Sequence, residues 1–335
     1  MASKKRGTQT VEFQQPPVIL ASANVVGKKE GEGPLASTFD TISQDDRFGQ
    51  DSWEKAESAM QKGTLTAALN QAVLSAAELD YLLAGDLLNQ CISSSFAARG
   101  QDVPFLGLYG ACSTMGESLL LAAMLLDGGF GRHAAAVTSS HFCSAERQYR
   151  TPLQYGGQRP PTAQWTATAA GAVILGTEGN GPRVVRATVG KIVDKGITDA
   201  NNMGAAMAPA AYDTLSAHFR DTGLTPDYYD LIVTGDLGKL GSEIVRDFFK
   251  KDGTALSNYN DCGLLLYDTE KQDVHCGGSG CGCAAAVLTG YLLEGLRSGR
   301  WKKLLFCPTG ALLSPTSTMQ GESIPSVCHA VAIEV

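Results

Sequence analysis

Cys112 is the residue of this sequence with the clearest position for a nucleophile. It follows Gly110, which permits a tight turn, and precedes Ser113 and Thr114, which can cap a helix. Unpaired N–H groups and the dipole at a helix start stabilise a thiolate, so this position predicts a lowered cysteine pKa and a reactive thiol. The same spacing also suits a small core residue, which from spacing alone is the commoner interpretation.

Two histidines and three acids are further candidates. His141 follows a predicted strand and His329 precedes the last one. Strand ends present residues to ligands in α/β proteins, so either histidine could be a base or could belong to the core. Asp86, Asp236 and Asp261 lie in otherwise apolar stretches. They could bind calcium through oxygen, or accept backbone hydrogen bonds at turns, which is commoner.

The segment from residue 141 to 165 has the composition of a functional loop or cap, rich in Gly, Pro, Gln and Arg. Guanidinium groups bind carboxylates and aromatic rings stack on planar ligands, so this mixture suits a planar anion, with Arg147 as a candidate contact. The alternative is a solvated loop whose arginines serve a dimer contact. The arginines and aromatic residues concerned are Arg147, Arg150, Arg159, Tyr149, Tyr155 and Trp165.

Charge and cysteine content narrow the class of protein. The net charge is -7, and beyond residues 4–6 no basic run occurs, which disfavours nucleic acid. Nine cysteines are an odd number, and without a secretory signal they predict reduced thiols. The cysteines near His275 lack the Cys-x-x-Cys spacing of structural zinc sites, so we expect no metal. The most apolar segments fall short of the ~20 residues of a membrane span, so no transmembrane segment is expected.

An internal repeat predicts the elements that position these residues. The apolar stretch ending at Gly85-Asp86 returns 150 residues later, ending at Gly235-Asp236. The turn at Cys112 with its apolar helix is echoed by the glycine-rich turn at residues 277–282 and the apolar helix after it. Alternating strands and helices predict parallel crossovers and sheets covered on both faces. We therefore expect an α/β protein with a mobile N-terminus at 1–16 and similar halves at 17–179 and 180–335.

These features together resemble the thiolase and 3-oxoacyl-acyl-carrier-protein synthase superfamily. The resemblance implies a thiolase-like fold of two βαβαβαββ halves in a five-layer α-β-α-β-α stack, and a homodimer. In the synthase III branch the cysteine matching Cys112 takes the acyl group, assisted by a histidine and an asparagine of the second half. Residues 234–237 contain no histidine and residues 277–280 contain no asparagine. The resemblance thus implies loss of the condensing activity; the alternative is an active acyl-transfer enzyme with His141 or His329 as base.

Nine stretches of the sequence carry a more specific resemblance within that superfamily: residues 82–90, 110–113, 138–141, 145–148, 155–158, 207–211, 261–265, 277–281 and 309–315. They resemble the stage V sporulation protein AD family of endospore-forming bacteria. The family resemblance implies binding of dipicolinic acid, alone or with calcium, and its uptake into the developing spore. It also implies membrane partners of the SpoVA group that hold the chain at the spore inner membrane. The alternative is a scaffold that recruits these partners and binds no ligand. The predicted ligand site comprises Cys112, His141, Asp86, Arg147, Asp261 and His329.

Overall fold

The computed structural model describes residues 4–149 and 158–335. Its strands are β1 (Lys5–Arg6), β2 (Thr10–Glu12), β3 (Val18–Val26), β4 (Thr41–Ile42), β5 (Tyr81–Gly85), β6 (Phe105–Gly107), β7 (His133–Ser140), β8 (Trp165–Thr166), β9 (Ala169–Gly176), β10 (Arg183–Thr188), β11 (Leu231–Thr234), β12 (Tyr259–Asp261), β13 (Gly278–Ser279), β14 (Lys303–Cys307), β15 (Thr309–Ala311), β16 (Ser326–Cys328) and β17 (Ala330–Glu334). Its helices are α1 (Lys28–Gly31), α2 (Trp53–Ala72), α3 (Ile92–Ala98), α4 (Thr114–Asp127), α5 (Phe142–Tyr149), α6 (Met203–Thr222), α7 (Gly238–Lys251), α8 (Cys262–Leu266), α9 (Cys281–Val287), α10 (Leu293–Arg297) and α11 (Pro315–Met319). A π-helical turn at Leu288–Leu292 joins α9 to α10.

The two halves have the same sheet topology. In the first half the strand order is β6–β5–β7–β9–β3, and in the second it is β12–β11–β14–β17–β10. The first three strands of each set are parallel, and the fourth is antiparallel to both of its neighbours. One antiparallel pair, Arg183 with Val18, joins β10 to β3. The duplication expected from the sequence is therefore confirmed in the fold.

Alternation along the strands shows how the layers stack. Leu83, Ala136 and Val173 belong to a core cluster with α4, whereas their neighbours Leu82 and Ala135 pack in a separate cluster with α2. Successive strand residues point to opposite faces, so α4 and α2 cover opposite faces of the first sheet. This sheet is buried on both sides, which explains its continuous apolar sequence.

The second sheet alternates in the same way. Val233 and Phe306 join the cluster that contains α4, α9 and α10, whereas Ile232 and Leu305 pack against α6 and α7. The helices that follow Cys112 and Cys281 therefore lie between the two sheets, as the sequence predicted. The five layers of the thiolase-like stack are accounted for.

The segment before residue 17 differs from the mobile N-terminus expected from the sequence. Within it, β2 pairs with β10. The Asp221 carboxylate accepts hydrogen bonds from the backbone N–H groups of Thr8, Gln9 and Thr10. These contacts fix residues 8–12 on the second half. The predicted boundary at residue 179 falls between β9 and β10.

A helix that spans a membrane needs about 20 predominantly apolar residues. Among the helices of the described ranges, none is long and apolar enough to cross a membrane.

Candidate functional site

A tight turn places Cys112 at the start of α4. The turn covers Ala111–Ser113, and the Ala111 backbone has φ of 47°, in the left-handed region that residues other than glycine rarely adopt. Ser113 Oγ donates to Gly110 O at 2.7 Å, and Thr114 Oγ1 donates to Ala111 O at 2.6 Å. The two hydroxyl side chains following the cysteine thus hold the strained backbone in place.

Cys112 lines a cavity of about 170 Å³ between the two halves. The short parallel pair of β8 with β13 forms one wall and places Thr166 opposite Ser279. One face of α5 contributes Ala145, Glu146 and Tyr149. The remaining described lining residues are Leu87, Ala111, Ala200, Asn201, Met203, Ala311 and Leu313. The cavity is mainly apolar, with hydroxyl, amide, thiol and carboxyl groups at separate points of its wall.

A buried carboxyl group lies behind this wall. Asp236 follows β11 and is completely inaccessible to solvent. Its Oδ2 accepts hydrogen bonds from Ser279 Oγ at 3.2 Å and from the Gly280 N–H at 3.0 Å. Its Oδ1 has no hydrogen-bond partner in the part of the chain that the structure describes. Burial, reinforced by the nearby Asp261 carboxylate, raises the pKa of Asp236 to about 7.

The Cys112 thiol lies in surroundings that disfavour its ionisation. Its Sγ is 3.9 Å from Ser279 Oγ, and the side chain is buried. Burial raises the pKa of Cys112 well above the ordinary thiol value, and the Asp236 carboxylate and the Cys281 thiol add to the effect. The lowered pKa expected from the helix start is wrong, because desolvation and a neighbouring acid outweigh the helix dipole. At neutral pH the cavity contains a protonated thiol.

His141 lies outside the described cavity wall. It is buried, its Nε2 lies 2.7 Å from Asp46 O, and its Nδ1 accepts a hydrogen bond from the Cys143 N–H at 3.1 Å. Its ring packs against Trp53 and Phe48. Burial lowers its pKa. The structure therefore places His141 in a packed aromatic environment rather than beside Cys112.

His329 also lies outside the described wall. Its Nδ1 accepts a hydrogen bond from the Gly190 N–H at 3.2 Å, just before β17. Burial lowers the pKa of this imidazole to about 4. The ring is neutral at physiological pH and connects two backbone segments of the second half.

Asp86 and Asp261 cap turns with their carboxylates. Asp86 accepts from the N–H groups of Leu88 and Ser94 and from the Ser94 hydroxyl. Asp261 accepts from the N–H groups of Leu237, Gly238 and Gly263 and from the hydroxyl of Thr234. Both carboxylates are fully buried and absent from the described cavity wall. Across residues 4–149 and 158–335, no cluster of three or more His, Cys, Asp or Glu side chains is arranged to hold a metal ion.

Arg147 lies on a different face of α5 from the cavity residues. It forms an ion pair with Glu54 of α2. The Arg159 guanidinium lies 4.6 Å from the ring centre of Trp165 and donates to Asp273 O at 2.9 Å. Arg150 and Tyr155 lie outside the described residues. Of the six side chains predicted for the ligand site, the structure places Cys112 in the cavity.

Comparisons with known proteins give the family. The family model described as stage V sporulation protein AD matches residues 7–334. The stage V sporulation protein AD of Bacillus subtilis (strain 168) is 46% identical over 332 residues, which cover 99% of this chain and 98% of that protein. The chain belongs to the stage V sporulation protein AD family. It is a sporulation protein.

Several solved structures have a fold similar to that of this stage V sporulation protein AD family member. The 3-oxoacyl-[acyl-carrier-protein] synthase III of Aquifex aeolicus VF5 is 13% identical with a TM-score of 0.57, covering 95% of this chain and 100% of that one. The corresponding synthase III of Xanthomonas oryzae is 15% identical with a TM-score of 0.61, covering 97% and 100%. A variant of OleA from Xanthomonas campestris is 15% identical with a TM-score of 0.60, covering 97% and 100%. At these identities the likeness confirms the thiolase-like fold and extends no further.

Several cavity residues of this stage V sporulation protein AD family member were missed by sequence reasoning. Ser279 lies in the glycine-rich turn that was noted only for its glycines. Tyr149 was noted in the cap segment for stacking, and the adjacent Glu146 was not singled out. Asn201 gave no signal, because it lies in an irregular segment before α6 that approaches the cavity only in the folded chain. Asp236 was singled out from the sequence as a possible calcium ligand, and its place behind the Cys112 cavity was not predicted.

Proposed function

We propose that this chain binds dipicolinic acid in the Cys112 cavity, without acyl chemistry, and supports its uptake into the developing spore. The observation that carries the proposal is the cavity between the halves, in which burial keeps the Cys112 thiol protonated. Binding needs shape and donors, whereas acyl transfer needs an ionised or activated nucleophile.

The size and lining of the cavity favour a small planar acid. Its volume of about 170 Å³ is below the roughly 300–1,000 Å³ of sites for drug-sized ligands. Leu87, Met203 and the Tyr149 ring offer apolar surface for a pyridine ring. Ser279 and Asn201 provide hydroxyl and amide donors for carboxylates.

The rival function is acyl-thioester condensation or transfer through Cys112. Residues 234–237 contain no histidine and residues 277–280 no asparagine, so we propose that the assisting groups of the synthase branch are lost. His141 and His329, the candidate replacement bases, do not line the cavity in the described part of the chain. Together with the raised pKa of Cys112, these placements favour a binding protein over an enzyme.

We propose that dipicolinic acid binds without a calcium ion held by Asp86 or Asp261. Both carboxylates already accept several hydrogen bonds from neighbouring backbone and hydroxyl groups. A calcium ion would have to displace these donors at the cost of leaving buried N–H groups unpaired. Binding of dipicolinate should therefore persist when a chelator removes free calcium.

Calorimetry on the purified chain tests the proposal. Dipicolinate should bind, whereas benzoate, which has one carboxylate and no ring nitrogen, should bind at least about tenfold more weakly. Cys112→Ser should change the affinity little because both side chains can donate a hydrogen bond. Cys112→Leu should weaken binding because the larger side chain occupies cavity volume. Equal or absent binding of the two acids would support the ligand-free scaffold instead.

We also propose a homodimer formed along β6. This strand lies at the end of the first sheet, so one of its edges has no neighbouring strand within the described residues. Leu106 on it is 42% exposed, and Tyr109 just beyond it is 41% exposed. An open edge flanked by exposed apolar side chains is suited to pairing with another chain. Sedimentation equilibrium should give a dimer, and Leu106→Asp should give a monomer.

Membrane partners of the SpoVA group complete the proposal. We propose that protein contacts, rather than lipid contacts, hold the dimer at the inner membrane of the spore. Fractionation of sporulating cells should recover the chain with membranes when the partners are present and away from membranes when they are deleted.

A further inference from the structure

We propose that Asp236 takes up one proton when a carboxylate binds in the Cys112 cavity, and that Ser279 links the two groups. This inference rests on the proposed binding function and adds a proton to it. The proton comes from the solvent, and no covalent bond other than its own O–H bond is formed.

The contacts of Ser279 make the coupling possible. Ser279 lines the cavity, and its Oγ donates to Asp236 Oδ2 at 3.2 Å. A serine hydroxyl carries a single proton, so it can donate either to Asp236 or to a ligand carboxylate. When Ser279 donates to the ligand, an ionised Asp236 loses a hydrogen bond and faces a second negative charge in a dry environment. That arrangement is costly.

Protonation of Asp236 resolves this conflict. The neutral acid can donate its own O–H to Ser279 Oγ, which then donates to the ligand carboxylate. The Gly280 N–H, 3.0 Å from Oδ2, can continue to bond to the same carboxyl group. The resulting chain from Asp236 through Ser279 to the ligand leaves every hydroxyl proton with an acceptor.

No positively charged side chain among the described residues that interact with Asp236 can offset the charge of a bound carboxylate, so a proton must do so. The titratable groups that interact with it are the thiols of Cys112, Cys262, Cys281, Cys283 and Cys328 and the carboxyl of Asp261, all neutral or acidic. Glu146 lines the cavity on the side of α5. Within residues 4–149 and 158–335, no lysine, arginine or histidine lines the cavity. A bound carboxylate therefore meets acids and neutral donors, and a proton on one acid reduces the repulsion.

The pKa of Asp236 sets the pH range of the effect. Burial raises this pKa to about 7, so the free carboxyl is largely ionised above that pH and largely neutral below it. Above about pH 7, binding must bring in a proton, and the dissociation constant should rise about tenfold per pH unit. Between about pH 6 and that pH the affinity should be level, because ordinary carboxyl groups, with pKa values of about 4, stay ionised there.

Calorimetric titration with dipicolinate from about pH 6 to about pH 9 tests the coupling. The binding enthalpy measured in buffers of different ionisation enthalpy gives the number of protons taken up. We expect one proton per ligand at the highest pH of the series. Asp236→Asn should bind with a level pH profile, because the amide cannot ionise and its carbonyl oxygen can take the place of Oδ2 as the acceptor of the Gly280 N–H. Glu146→Gln is the matched control, since it removes the acid that lines the cavity and should leave the pH dependence of binding unchanged.

The outcomes separate this proposal from the function on which it rests. Dipicolinate binding with a level profile and no proton uptake in the unmodified chain would overturn the coupling and leave the function intact. A slope that persists in Asp236→Asn, or that disappears in Glu146→Gln, would assign the proton elsewhere. If Asp236→Asn does not fold, Ser279→Ala tests the same link and should also give a level profile. Absence of binding at every pH would overturn the proposed function and the coupling with it.

Discussion

Glu30 provides a quantitative test of the electrostatics of this fold. It lies in α1 and is 1% exposed. Its Oε1 accepts a hydrogen bond from the Thr168 N–H at 3.1 Å and one from the Tyr267 hydroxyl, so it connects the two halves. Burial raises the pKa of Glu30 from 4.5 to about 7. The buried acid should therefore make the stability of the chain depend on pH.

The sign follows from proton binding. Between about pH 4.5 and about pH 7 the unfolded chain has lost this proton and the folded chain retains it, so stability falls as pH rises through this range and is level above it. At 1.36 kcal/mol per pKa unit, the loss is about 1 kcal/mol at about pH 5 and about 3 kcal/mol at about pH 8. The group is fully buried, so solvent screening does not reduce the effect.

Glu30→Gln should remove this pH dependence. The glutamine carbonyl can accept the same two hydrogen bonds and cannot ionise. The difference in free energy of unfolding between the variant and the unmodified chain should shift by about 2 kcal/mol in favour of the variant from about pH 5 to about pH 8. Any constant cost of the amide cancels in this comparison because it is the same at both pH values. Urea unfolding at the two pH values measures the difference, and Glu32→Gln, an exposed neighbour, is the control. An equal effect of Glu30→Gln at both pH values would refute the reasoning.

Three further predictions concern the site and its surroundings. Gly310→Ala should destabilise the chain by about 1–3 kcal/mol and weaken dipicolinate binding, because the new Cβ would lie 2.0 Å from Gly110 O. Gly63→Ala is the control, because it has open space at its Cβ and should not destabilise the chain. Acetyl and malonyl thioesters should give no condensation product above a Cys112→Ala control, and product above that control in a turnover assay would contradict a binding function. The chain should not bind bare anionic vesicles in a flotation assay, since the proposed attachment depends on protein partners, and stable co-flotation would contradict that proposal.

The fold could be predicted because its signals are local and repeated. The apolar stretch before Asp86 and its copy before Asp236 became corresponding strands of the two sheets. The turn at Cys112 and the helix after it were placed correctly because glycine, cysteine and hydroxyl residues act within a few positions of one another. Because the same pattern occurs in both halves, the strands and helices predicted in one half supported those predicted in the other.

The composition of the site was harder to predict because it depends on burial and on contacts distant in sequence. His141 follows a strand end, as ligand-binding residues often do, yet its imidazole packs beside Trp53 and bonds to Asp46. Asp86 has the sequence context of a ligand residue, but its carboxylate accepts hydrogen bonds from nearby backbone N–H groups. Sequence pattern shows that a polar side chain is near a strand end, but the partner that satisfies it appears only in three dimensions.

The position of Cys112 and its chemistry are controlled by different parts of the structure. Its position comes from the strained turn at Ala111 and the hydroxyl bonds of Ser113 and Thr114, all within the turn itself. Its protonation state comes from burial and from Asp236, more than a hundred residues away in the other half. Substitution of the distant half can therefore change a thiol from nucleophile to hydrogen-bond donor while the turn and the cavity persist. For this reason the turn determines where the thiol lies, and burial and the neighbouring acids determine its protonation state.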